Sequence, residues 1–77
     1  MKRIEILGTG CAKCNRLERN VRKAVEKAGI KAKILKISKI EDIMERGVMI
    51  TPGLVVDGVV VASGSVPAVD DIVDILK

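Results

Sequence analysis

The chain contains no phenylalanine, tyrosine or tryptophan, and no histidine. Without aromatic rings, any core must be built from Ile, Val, Leu, Met and Ala. Single-stranded nucleic acid is also an unpromising partner, because such sites stack bases on aromatic side chains. Without histidine, a zinc site would have to draw its ligands from thiolates, carboxylates, water or a second chain. Cysteine is scarce as well: two residues are too few for a disulfide-stapled secreted scaffold. No apolar run approaches the ~20 residues of a membrane span. The basic start Met1-Lys2-Arg3 is followed by an apolar stretch that ends at Gly8, which is short for the core of a secretory signal. A cytoplasmic protein with no membrane partner is expected.

What is present suffices for one small domain spanning residues 1–77. Of the 77 residues, 48% are hydrophobic, so a closed core can form. A chain of this length still buries only about 60% of the surface it exposes when unfolded. The net charge is +4. Because Lys and Arg are interleaved with Glu along residues 12–28, and the C-terminal segment is acidic, the charge reads as a solvated mixed surface. No nucleic-acid face is expected.

Hydrophobic periodicity divides the chain into seven elements. Residues 2–7 read as a strand with Ile4 and Ile6 on one face. Residues 12–28 read as a helix, with Leu17, Val21, Ala24, Val25 and Ala28 in one stripe and Gly29 placed to cap it. Glu18–Arg22 and Arg22–Glu26 are favourable pairs four residues apart. Residues 31–37 read as a second strand, parallel to the first because a helix joins them. Ser38-Lys39-Ile40-Glu41 fits the capping-box pattern and opens a short helix ending near Gly47, with Ile40, Ile43 and Met44 as its buried edge. Leu54-Val55-Val56 and Val59-Val60-Val61 flank Asp57-Gly58, a strong hairpin signal. Ser65 and Pro67 open a last helix whose apolar face is Val69, Ile72, Val73 and Leu76, with Asp70 and Asp71 in its first turn. The expected fold is α/β, in the order β-α-β-α-β-β-α: a four-stranded mixed sheet covered by helices on both faces.

The two cysteines fall together, in Gly8-Thr9-Gly10-Cys11-Ala12-Lys13-Cys14. A C-x-x-C between a first strand and a helix, in a small domain, reads as thiol–disulfide chemistry. The first sulfur stands at the helix N-terminus, where unpaired amides and the dipole favour an anion. A thiol there ionises more readily, and the thiolate is the reactive form. Three residues of helix also bring the sulfurs within reach of each other. Lys13 has two readings: a cation that lowers the Cys11 pKa further, or an exposed loop lysine. Gly8 and Gly10 read as turn residues.

With Cys11-Ala12-Lys13-Cys14 after the first strand and Thr51-Pro52 before the hairpin, the chain resembles thioredoxin-fold proteins. It is close in size and element order to the small redox-active disulfide proteins of that group. The resemblance implies that Cys11 is the attacking nucleophile and Cys14 the resolving thiol. It also implies that Pro52 is cis and packs against the active-site disulfide, and that the backbone at Thr51 binds an extended substrate segment. A proline at the entry of a hydrophobic strand fits independently, since it withdraws a ladder donor where the strand begins. Glu5 stands six residues before Cys11, the offset at which thioredoxins carry a buried acid. It reads as an ion pair with Lys31 or Lys33, or as a proton shuttle. The implied activity is thiol–disulfide oxidoreduction with protein disulfides and a reductase as partners. No organic cofactor or metal is needed, because the sulfurs carry the electrons. A monomer is expected.

The departures from the pattern are specific. Thioredoxins carry Trp before the first cysteine and Gly-Pro between the pair; here Gly10 and Ala12-Lys13 stand there. Glutaredoxins have Pro-Tyr between the cysteines, and their turn before the last helix is matched only loosely by Ser63-Gly64-Ser65, which speaks against glutathione binding. Two alternatives remain at this level. The cysteine loop is similar to the G-x-T-C-x-x-C loop of heavy-metal-associated domains, so a soft-metal carrier for Cu(I) or Zn is one. A non-enzymatic interaction domain with an incidental cysteine pair is the other.

Overall fold

The computed structural model describes residues 1–77. Strand β1 (Lys2–Leu7) lies at the centre of the sheet, which runs β2-β1-β3-β4. Strand β2 (Ala32–Ile37) pairs with it in parallel, with Ile4 opposite Ile34 and Leu7 opposite Ile37. Strand β3 (Gly53–Val56) pairs with it antiparallel, with Ile6 opposite Leu54, and β4 (Val59–Ser63) completes the hairpin. The turn between β3 and β4 places Asp57 at φ 51° and Gly58 at φ 84°. Both central residues thus adopt the positive φ that a two-residue hairpin turn requires. The turn is also tied to β1, because the Arg3 amide donates to Asp57 Oδ1 (2.9 Å) and the Asp57 amide to the Arg3 carbonyl (2.8 Å).

Alternation along the central strands sorts the core into two layers. Ile4, Ile6, Leu54 and Val56 face helices α1 (Ala12–Ala28) and α3 (Val69–Leu76), meeting Leu17, Val21, Ala24, Ile72, Val73 and Leu76. Leu7 and Val55 face the other way, onto Ile43 of helix α2 (Ile40–Glu45) and Val48 beyond it. Helices therefore cover both faces, as the patterning implies. The first layer is the larger. Full burial of a residue such as Leu17 contributes about 1.5–3 kcal/mol relative to its exposed state.

Four local expectations are corrected. The capping box does not form: Lys39 is the N-cap of α2, and no side chain caps that helix. Ile43 alone of the expected apolar edge is buried, while Ile40 and Met44 are 63% and 58% exposed. Arg22 pairs with Glu18 and not with Glu26, and the Glu18 carboxylate is also held by Lys36 of β2. Ser65 and Pro67 stay outside α3, whose N-cap is Ala68; the Pro67 carbonyl instead accepts a bond from Asn20 Nδ2 (3.0 Å). Gly29 does cap α1, at φ 67°, donating to the carbonyls of Val25 and Glu26.

Candidate active site

The chain leaves β1 through Gly8, whose amide still bonds the carbonyl of Ile37 at the end of β2 (2.9 Å). Gly10 then turns at φ 89°, and Cys11 becomes the N-cap of α1 with an extended backbone. The first helical turn closes when the Asn15 amide bonds the Cys11 carbonyl (3.0 Å). Cys11 is consequently exposed at the helix start. Cys14, one turn later, is only 5% exposed.

Both cysteines are free thiols, with Sγ atoms 2.9 Å apart and hydrogen-bonded. The Cys11 thiol is held below its ordinary range. The chief cause is the bond from the Cys14 side chain; the amide of Cys14 adds to it, desolvation opposes it, and the amide of Lys13 contributes less. These are the donors a helix N-terminus leaves without intrahelical partners. Lys13 contributes through its backbone N–H. The Lys13 side chain itself is exposed.

Gly8 has a role beyond turning. A Cβ at this position would fall on Cys14 Sγ and lie 3.1 Å from Cys14 Cβ. Helical side chains lean back toward the N-terminus, so Cys14 reaches over the loop that precedes its own helix. The space it occupies exists because residue 8 has no side chain.

Two grooves flank this loop. One, of about 220 Å³, is bordered by Ile6, Gly8, Cys14, Asn15 and Lys36. The other, of about 290 Å³, is more apolar and is bordered by Thr9, Ile40, Met44, Val48, Met49 and Thr51. Thr9 belongs to both, so the grooves meet two residues before Cys11. The Thr51–Pro52 peptide is cis, and Pro52 is fully buried. The Pro52 carbonyl accepts a bond from the Gly64 amide (2.8 Å), while Thr51 remains partly accessible at the mouth of the second groove.

Glu5 is buried at 6% exposure, but its partner is neither Lys31 nor Lys33. Arg46, just past α2, grips the carboxylate with two bonds, Nε to Oε1 at 2.8 Å and Nη2 to Oε2 at 2.9 Å. Arg3 adds a longer contact of 3.5 Å. The Arg46 hydrogen bonds are the largest influence on Glu5 and hold its carboxyl below the usual range; burial works against them. Lys33 lies opposite Arg3 in the β1–β2 register, while Glu5 stands opposite Leu35, and its face is the one turned toward α2.

The description "Thioredoxin domain" belongs to the family model that matches residues 2–77. A thioredoxin of Methanocaldococcus jannaschii is 47% identical over 74 residues, covering 96% of this chain and 85% of the relative. A thioredoxin of Methanothermobacter thermautotrophicus is 45% identical over 77 residues, covering all of both chains. The chain belongs to the thioredoxin family. Its activity class is thiol–disulfide oxidoreductase, and the C-x-x-C loop at the head of α1 is the feature that fits it.

Within this thioredoxin-family frame, two contributors escaped the sequence reading. For Gly8, the usable signal was the backward lean of a helical residue one turn past the cap. For Arg46, no local signal existed, because it meets Glu5 from 41 residues away.

Proposed function

We propose that the protein reduces protein disulfides by cycling Cys11 and Cys14 between dithiol and disulfide. The Cys11 thiolate attacks one sulfur of the substrate disulfide; a mixed disulfide forms and the other substrate sulfur leaves as a thiolate. Cys14, having lost its proton, attacks Cys11 Sγ and breaks the mixed disulfide. The second substrate sulfur is released, and Cys11 and Cys14 are left bonded. Two electrons have passed to the substrate, and a partner disulfide reductase restores the dithiol by the reverse exchange.

The observation that carries this reading is the asymmetry of the pair: an exposed sulfur with a depressed pKa, hydrogen-bonded to a buried one. The first can reach a foreign disulfide, whereas the second reaches only its neighbour. The backbone at Thr51, above the buried Pro52, and the apolar groove that begins there receive the extended segment around the substrate disulfide. That groove has no charged residue on its border. Such a surface suits an apolar protein segment better than glutathione with its two carboxylates. The protein works as a cytoplasmic, single-domain monomer without organic cofactor. Two thiolates alone fall short of the four ligands of a structural zinc site.

A Cys14→Ser variant tests the assignment. Incubated with a protein disulfide, it accumulates a mixed disulfide at Cys11. If the adduct forms only in a Cys11→Ser variant, the roles are reversed. Stoichiometric Cu(I) binding by the reduced protein, with no turnover of protein disulfides, would favour the metal carrier.

A further inference from the structure

Helix α2 is weakly anchored by its own sequence. It has six residues, no side-chain cap and one buried side chain, Ile43. A helix so short does not hold itself together in water. Its C-terminal end is also irregular. The Arg46 amide bonds the Ile43 carbonyl (3.2 Å), leaving the Asp42 carbonyl without the usual acceptor role toward residue 46. The Arg46 side chain fills that gap, as Nη1 donates to the Asp42 carbonyl at 2.7 Å. Its two remaining nitrogens reach Glu5 on the central strand at 2.8 and 2.9 Å. One guanidinium therefore closes the helix end and fastens it to β1. Two parallel bonds to a carboxylate fix orientation as well as distance.

What α2 carries makes its placement matter. Ile40 and Met44 are exposed and border the same groove as Thr9 and Thr51. The cysteines depend on different supports, namely the Gly8 space and the first turn of α1. We propose that Glu5 and Arg46 form a positioning pair: they hold α2 against β1 and so set how tightly a protein substrate docks, while taking no part in the sulfur chemistry. This rests on the groove being the substrate-docking surface.

The test compares the full-length wild type with Arg46→Gln and Arg46→Lys, using dithiothreitol-driven reduction of insulin and, separately, a small aromatic disulfide that does not need the groove. Arg46→Gln should raise KM for insulin about tenfold with kcat changed less than about twofold, the signature of lost binding that is uniform between ground and transition states. Arg46→Lys, which keeps the charge but loses the fork, should fall between. The rate with the small disulfide and the pH profile of Cys11 alkylation should not move. An unchanged KM for insulin in Arg46→Gln overturns the proposal, as does an unchanged KM in Arg46→Lys if the first variant does not fold. So does a parallel loss of small-disulfide activity. The exposed-residue variant Ile40→Ser/Met44→Ser controls for the groove itself. If it leaves KM unchanged, the groove reading fails; if it raises KM while the Arg46 variants do not, only the positioning role fails.

Discussion

Cys14 Sγ lies in the space that a side chain on residue 8 would take. The last residue of the β1 exit and the second thiol of the helix therefore constrain each other, and the smallest residue is required at one of them.

The first prediction follows from that contact. Gly8→Ala pushes Cys14 away from Cys11 or shifts the loop. Overpacking of this kind costs about 1–3 kcal/mol. Urea denaturation should show that loss, and the mixed disulfide between Cys11 and a substrate should live longer because resolution by Cys14 is slower. An unaltered denaturation midpoint together with an unaltered mixed-disulfide lifetime would rule out the steric account of Gly8.

A second prediction concerns the source of Cys11 acidity. Because the Cys14 side chain is the leading cause, Cys14→Ala should move the Cys11 pKa up toward the ordinary value of about 8.5. The amides of residues 13 and 14 remain and should keep it somewhat lower. Lys13→Met should leave it nearly in place, since Lys13 contributes through its amide. The pH dependence of iodoacetamide alkylation reads both shifts. A large rise with Lys13→Met and none with Cys14→Ala would invert the assignment.

The third prediction is one of acid stability. The Glu5 carboxyl is depressed in the folded state, chiefly by its bonds to Arg46. Its contribution is therefore complete above the unfolded value of about 4.3 and is lost as pH falls through the lower folded value. Glu18 (through Lys36), Asp57 (through the Arg3 amide) and Asp70 (through Lys27) are lowered as well and follow the same sign. Glu5→Gln should melt lower at pH 7, by about 4–8 °C for each kcal/mol that is lost with the ion pair. It should also lose less stability than the wild type between pH 6 and pH 2, because one of the four groups is gone. The pH profile of disulfide exchange should be unchanged. A displaced exchange profile would return Glu5 to the role of proton shuttle.

Much of this was legible beforehand, for identifiable reasons. β1, α1 and the hairpin carry long periodic signals, and Asp57-Gly58 fits a turn in which both central residues need positive φ. The C-x-x-C between β1 and α1 located the reactive loop. The failures cluster at α2. With apolar residues at 40, 43 and 44, six residues of helix do not define which one meets the core, and only Ile43 does. Ser38 fits the capping pattern, yet the chain enters the helix one residue later, at Lys39. The fork between Glu5 and Arg46 depends on how the end of α2 is presented to β1, which is a tertiary property. It is also at α2 that apolar side chains stay in solvent, beside Thr9 and Thr51.

The most direct test of the central claim is competitive alkylation of the fully reduced wild-type protein across pH, with the modified cysteine located by mass spectrometry. Cys11 should react first, with a midpoint clearly below about 8.5, while the buried Cys14 stays unmodified. Equal reaction of both thiols with a midpoint at or above the free-thiol value, or preferential labelling of Cys14, would contradict it.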